Sequence, residues 1–375
     1  MADTADLPLI DHHCHGLMLS DLTDDEFRSL ATESEWPAPD GIDALDSPFG
    51  LAVRAICAPL LDIERNAPID TYLDRRRALG VDEVNRRLLD AAGTARYLVD
   101  TGFTASPVAG PAQMRAMTGA PADEILRLER VAEEIAPGTT AENFAARFGE
   151  ALYARSHGTV GLKSIIAYRY GFDIAAQRPS QTEVRAAAGN WLRRGEQSRT
   201  YRLDDPVLLQ HVLWEGVGLG LPIQLHVGYG DGDVQLFRAD PSRLTKFLTA
   251  TRTSGAQFML LHCYPFVREA AILTQVFPHV YCDVGLVSHY LGPSSGVAIR
   301  QALEMAPFGK VLYSSDAYGL AEHYAVSALQ WRRELGKLLD EWVADQWLSP
   351  ADAERYAGMI AAGNAARVYC LHTDD

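Results

Sequence analysis

LPLIDHHCHG, residues 7–16, places three histidines within four positions at the end of an apolar run. Leu7, Leu9 and Ile10 read as a buried strand that runs into a loop at Gly16. Successive side chains on a strand point to opposite faces, so Asp11, His13 and His15 are expected on one face and His12 and Cys14 on the other. At a rise of roughly 3.3 Å per residue, the imidazoles of His13 and His15 would stand about 7 Å apart, and a slight bend brings such a pair onto one cation. A lone pair of this kind is usually a core or surface feature. It acquires meaning only if other segments supply partners.

The rest of the chain repeats one plan, an amphipathic helix, a glycine or proline stop, then a short apolar strand ending in a polar residue. Asp205 is placed to cap a helix with Pro206 at its first position, and LPIQLHV follows after glycines 216, 218 and 220. Thr139 and Glu142, in capping-box spacing, are expected to open a helix with Phe144, Phe148 and Leu152 on one face, leading to GTVGLKSIIAYR. AQFMLLHCY, HVYCDVGL and GKVLYSSDA complete a set of six strands. ARYLVDTGF supplies a seventh. EILRLER is taken as the eighth, although Ile125, Leu128, Ala132 and Ile135 are also helically spaced. Eight parallel strands with intervening helices make a (β/α)8 TIM barrel, whose functional groups lie at the C-terminal strand ends. Residues 17–95, broken at Trp36-Pro37 and Ser47-Pro48, read as a helical insertion after strand 1, too long for an ordinary loop and placed beside or over the mouth. The segment after about residue 317 reads as helical, with Ser349-Pro350 as a cap and first turn. No linker divides residues 1–375, which are expected to form a single domain.

A formal charge of −15 argues against nucleic-acid or anionic-membrane partners and leaves a small molecule as the expected one. The composition leaves a homo-oligomer open. The five cysteines (Cys14, Cys57, Cys263, Cys282 and Cys370) form no CxxC pair and read as reduced core thiols. No signal peptide or apolar span of roughly 18 residues is present, which places the expected protein in the cytoplasm.

Collected at the strand ends are His13, His15, Lys163, His226, His262 and Asp316. Singly, each has an ordinary explanation: a hydrogen-bonded core histidine, a snorkelling lysine, a helix N-cap. Four further strands ending in such residues, aimed at one mouth, point instead to a metal centre built from imidazole and carboxylate. Tyr168 and Arg169, just past Lys163, could receive a substrate carboxylate, and Asp231 and Asp233 in GYGDGD an ammonium. Arg127 and Glu129 have the parity of the third strand end. His12, Cys14, His279, His289 and His323 read as structural or supporting, with His289 the best candidate among them for a place in the site because it follows strand 7.

IDHHCHG, VDTGF, LKSIIAYRYG, QLHVGYGDGD, LLHCYP and YSSDAYGLAEHY resemble the amidohydrolase superfamily, and within it the FluG-type (nodulin/glutamine-synthetase-like) amidohydrolases. The resemblance spans nearly the whole chain. It implies one or two Zn²⁺ or Mn²⁺ ions, with His13, His15 and Asp316 on the first. If Lys163 is carbamylated it bridges to a second ion held by His226 and His262, the preferred arrangement. In the alternative, Lys163 stays charged, His226 serves a single metal and His262 polarises the substrate carbonyl. Asp316 would shuttle the proton of an activated water. The implied reaction is hydrolysis of an amide C–N bond in a small amino-acid-derived molecule such as a γ-glutamyl amide, although some relatives carry a glutamine synthetase domain for which these residues leave no room. Decarboxylation or isomerisation on a related site is the nearest rival, and an inactive metal-binding scaffold a more distant one.

Overall fold

The computed structural model describes residues 4–103 and 107–371. Seven parallel strands pair in sequential order: β1 (Leu9–Cys14), β2 (Thr94–Asp100), β3 (Ala122–Arg127), β4 (Thr159–Ser164), β5 (Ile223–Val227), β6 (Phe258–His262) and β7 (Val280–Cys282). The expected eighth strand at YSSDA forms no regular ladder, but its backbone joins both sheet edges. Leu312 N donates to Cys282 O on one side, and His12 N donates to Tyr313 O on the other. The curled sheet is thus laced together through 311–317, as in a TIM-barrel-like fold.

Ile10, Leu98, Ile125, Met259, Leu261, Tyr281 and Leu312 form an inner cluster, stoppered by Val368 and Tyr369 at the C-terminal end of the chain. A larger apolar core lies between strands and surrounding helices. Its helices start where the chemistry allows. Asp205 accepts from the backbone N–H groups of Val207 and Leu208, with Pro206 at the first position of Pro206–Leu219. The expected Thr139–Glu142 capping box does not form. The helix begins at Phe144 with Asn143 in the N-cap position, while the Thr139 hydroxyl donates back to Ile135 O in the preceding turn.

EILRLER divides between two elements, because β3 ends at Arg127 and a helix runs Leu128–Ile135. Its helical spacing was therefore genuine for the second half. Between β1 and β2 lie the helices Asp24–Leu30, Pro48–Ala52, Ile69–Leu79 and Val81–Ala92. Ser47-Pro48 is a helix start, the Ser47 hydroxyl accepting from Gly50 N. Beyond Leu30, Trp36 lies so close to Gly232 that a β-carbon there would stand 2.4 Å from its ring. Among the described residues no disulfide forms, and Cys370, expected in the core, is exposed. No described helix is long and apolar enough to cross a membrane.

Candidate metal centre

His13 and His15 leave β1 beside Asp316 on the 311–317 segment. The ligand atoms of the three residues lie within 4.8 Å of one another. His13 Nε2 is 2.8 Å from Asp316 Oδ1, and His15 Nε2 is 3.3 Å from the same oxygen. Whether these nitrogens carry hydrogens follows from the other side of each ring. Gln224 Nε2 stands 2.5 Å from His12 O, a carbonyl that can only accept, so the amide oxygen of Gln224 must be the atom facing His13 Nδ1 at 2.8 Å. His13 Nδ1 is therefore the protonated nitrogen. Likewise His15 Nδ1 donates to Asp100 O at 3.2 Å. Burial, reinforced by the Lys163 charge, pushes the His13 pKa down to about 3, so its ring is neutral and Nε2 is a bare lone pair. The bare nitrogen of His13 then faces a carboxylate oxygen, a pair of acceptors that a cation resolves.

His226 and His262 complete the ring of imidazoles, 4.8 Å apart between centroids. His262 Nε2 lies 3.4 Å from Asp316 Oδ2. Among the described residues neither His262 nitrogen nor His226 Nε2 has a hydrogen-bond partner, although all are buried. Burial lowers His262 to about 4 and His226 well below its ordinary value, leaving both rings neutral. Lys163 Nζ is 3.3 Å from His13 Nε2, and burial brings its ammonium down to about 8. Asp316 runs opposite to its burial. Its carboxyl, ringed by His13, His15 and His262, lies well below the usual range and is ionised. A donor set of neutral imidazoles and one carboxylate fits a divalent cation such as Zn²⁺ or Mn²⁺.

Backbone strain accompanies this placement. His262 and Asp316 adopt φ of 69° and 51°, conformations that cost of the order of 1–3 kcal/mol each in non-glycine residues. Both are held by hydrogen bonds. His262 N donates to Asp283 Oδ1 at 2.8 Å, and Asp316 N donates to His13 O at 3.0 Å.

Strict alternation does not survive to the end of β1. Ile10 belongs to the inner cluster, and His12 follows it inward to bond Tyr369 Oη at 3.0 Å and Asp283 Oδ2 at 2.8 Å. A register shift between Asp11 and Cys14 then turns the chain so that His13 also reaches the mouth. Asp11 instead binds Ser315, whose hydroxyl donates to Oδ2 at 2.5 Å and whose N–H donates to Oδ1. Cys14 is buried in the outer core and His279 lies beside Phe258 and Phe277.

The centre opens into a cavity of ≈ 630 Å³ that also meets Tyr168, Arg169, Asp231, Asp233 and His289. Arg169 Nη2 is 3.4 Å from Glu133, while its Nη1 is buried with no partner among the described residues. Asp233 pairs with Arg202 at 2.6 Å, so its charge is already answered. Asp231 Oδ1 accepts from Asp233 N. His289 Nδ1 lies 3.0 Å from the Ser327 hydroxyl and its ring stacks on His323 at 4.4 Å. Arg127 pairs with Asp100 at 2.6 Å, supporting the carbonyl that orients His15, and Glu129 accepts from the Ser164 hydroxyl and Ile165 N at the end of β4. Sequence reasoning did not single out Gln224, Asp100, Asp283 or Glu33. The first three sit in the period of their strands and were legible as inward polar residues, whereas Glu33 belongs to an irregular segment with no periodic signal.

The amidohydrolase family profile matches residues 10–371. The chain belongs to the amidohydrolase family. This amidohydrolase is 26% identical to protein fluG of Emericella nidulans over an alignment of 405 residues, covering 97% of the chain and 46% of that relative, so it spans about half the length of the curated relative it matches. A presumptive metal-dependent hydrolase from Lactobacillus casei ATCC 334 superposes with a TM-score of 0.85 at 26% identity, over 99% of each chain. A uronate isomerase from Thermotoga maritima shares the fold, with a TM-score of 0.65 at 12% identity over 97% of this chain and 95% of its own.

Proposed function

We propose that residues 1–375 form one catalytic domain that hydrolyses the amide C–N bond of a small amino-acid-derived molecule, with a γ-glutamyl amide as the best-fitting substrate. The observation that supports a metal-dependent reaction is the convergence of His13 Nε2, which is bare, and His15 Nε2 on an ionised Asp316. Zn²⁺ or Mn²⁺ held there would polarise the scissile carbonyl and lower the pKa of a water. Asp316 would take a proton from that water as its oxygen bonds the carbonyl carbon, and would pass the proton to the departing amine nitrogen as the C–N bond breaks. His226 and His262 present buried, unpartnered nitrogens that support a second ion position, and Lys163 with its pKa near 8 retains enough neutral amine to take up CO₂ as a bridging carbamate. Should Lys163 stay an ammonium, His262 is the group placed to hold the carbonyl oxygen. Arg169 supports recognition of a substrate carboxylate, its Nη1 being a buried donor without a partner among the described residues while Nη2 stands 3.4 Å from Glu133.

The test is a metal analysis joined to a substrate panel. One or two ions per chain, and turnover of γ-glutamyl amides above neutral acyl amides of equal size, is the expected result. Turnover of uronic or hydroxybenzoic acids without amide cleavage would replace hydrolysis by isomerisation or decarboxylation at the same centre.

A further inference from the structure

Glu33 reaches the cavity from the segment that follows Asp24–Leu30, and neither its chain position nor the metal centre accounts for it. The Tyr290 hydroxyl bears on its carboxyl, and among the described residues no ion pair neutralises it: the charged groups that raise it, Asp316 and Asp231, are both acidic. Burial and those two charges raise its pKa to about 7. A carboxylate in such surroundings is poorly satisfied and gains from a cation delivered by a ligand.

The same wall contains a second unanswered acceptor. His323 is 2% exposed and lines the cavity. Its Nδ1 is 3.1 Å from Tyr318 O, which can only accept, so the hydrogen of the neutral ring sits on Nδ1 and Nε2 is a lone pair. That Nε2 is buried without a partner among the described residues. Tyr290 bears on both acceptors, its ring 5.8 Å from that of His323 and its hydroxyl among the groups that act on Glu33, and all three residues line the cavity. Asp233, by contrast, is spent on Arg202.

We propose that Glu33, with His323 beside it, is the specificity determinant for a positively charged amine on the substrate, opposite Arg169 as the receiver of its carboxylate. The inference rests on the reading of the cavity as an amino-acid-amide site and deepens it by assigning the amine to residues outside the barrel strands. It gives the segment between β1 and β2 a direct part in choosing the substrate.

Calorimetric binding of L-glutamate and of glutarate, which lacks only the amine, to the metal-loaded protein tests it. Wild type should prefer L-glutamate at least tenfold, about the worth of one hydrogen bond to a charged group. Glu33→Gln keeps the shape and the Tyr290 contact, and should bring the two affinities to within about twofold by weakening L-glutamate alone. His323→Phe keeps the aromatic stack and should reduce the preference in part. Arg169→Ala should weaken both ligands alike, as would any purely structural damage. A wild-type preference in Glu33→Gln overturns the assignment, and so does failure of wild type to bind L-glutamate in preference to glutarate. Amide hydrolysis is assayed separately, so loss of the preference in Glu33→Gln without any amide turnover would uphold the amine site and reject hydrolysis. Amide turnover with an unchanged preference would do the reverse.

Discussion

Gln224→Leu separates the metal centre from the frame that orients it. The native amide receives a hydrogen bond from His13 Nδ1 at 2.8 Å and gives two, to His12 O at 2.5 Å and to Tyr369 Oη at 2.8 Å. Leucine fills similar space and makes none of them. Tyr369 keeps its contact with His12 Nδ1, so the loss falls on His12 O and on His13 Nδ1–H, both buried. At roughly 1–3 kcal/mol for each orphaned group, offset in part by the apolar side chain, the net destabilisation should be about 3 kcal/mol. The effect on metal is separate. With Nδ1 no longer held as the donor, His13 can shift its hydrogen to Nε2 and donate to Asp316 Oδ1, 2.8 Å away, closing the position a cation would take. Loss of such a supporting partner typically weakens metal binding about 10- to 100-fold. Competition against a chromophoric chelator reads the affinity, and urea unfolding of the metal-free protein reads the stability. Gln224→Glu retains an oxygen facing His13, so it should recover much of the affinity while remaining destabilised. Affinity within twofold of wild type in Gln224→Leu would refute the claim that this amide sets the state of His13.

Four other outcomes are expected. Lys163→Ala should lose one of two ions and most activity, with partial rescue by short carboxylic acids; undiminished metal content on elemental analysis would favour the single-ion arrangement. Asp316→Asn should lower kcat by about 10² to 10⁴ with the circular dichroism spectrum unchanged. Stripping metal with a chelator should lower Tm, since a free ion at one hundred times its Kd contributes about 2.7 kcal/mol to stability; equal melting curves with and without chelator would contradict a built site. Burial pushes Asp283 up, but its hydrogen bond to His12, the neighbouring imidazoles and the His262 backbone N–H together bring it down to about 2. A depressed carboxylate gives stability that is present above the unfolded value of about 3.9 and lost as pH falls toward the folded one. In metal-free protein the urea midpoint should therefore fall between pH 4 and pH 2, and Asp283→Asn should show a smaller fall across that window.

The strands were legible because apolar runs end in polar residues at intervals that only an alternating α/β chain explains, and the matching ligand types at 13, 15, 226, 262 and 316 made the mouth legible with them. Local irregularity hid the rest. His12 reads as facing away from His13, yet both turn inward because the ladder slips between Asp11 and Cys14. The eighth segment bonds to two edges without regular strand geometry, Asp316 lying at φ 51°. Glu33 escaped because it lies in an irregular segment with no period, and His323, although inside YSSDAYGLAEHY, read only as structural or supporting because its place on the helix Ala321–Ala344 does not reveal that its ring lines the cavity. Asp233 had the composition of an ammonium site, but the sequence could not show that Arg202 answers it.

The floor beneath His13 has a consequence for how the protein is made. Gln224 and His12 both bond Tyr369, the residue that stoppers the inner cluster, while Asp316 must arrive from far along the chain to meet His13 and His15. A nascent chain on the ribosome therefore displays His13 and His15 long before it owns the carboxylate they converge on, and longer still before the tyrosine locks their support. A polypeptide arrested before residue 316 would therefore carry the paired histidines without the carboxylate they face, and an ion offered to it would meet an incomplete centre.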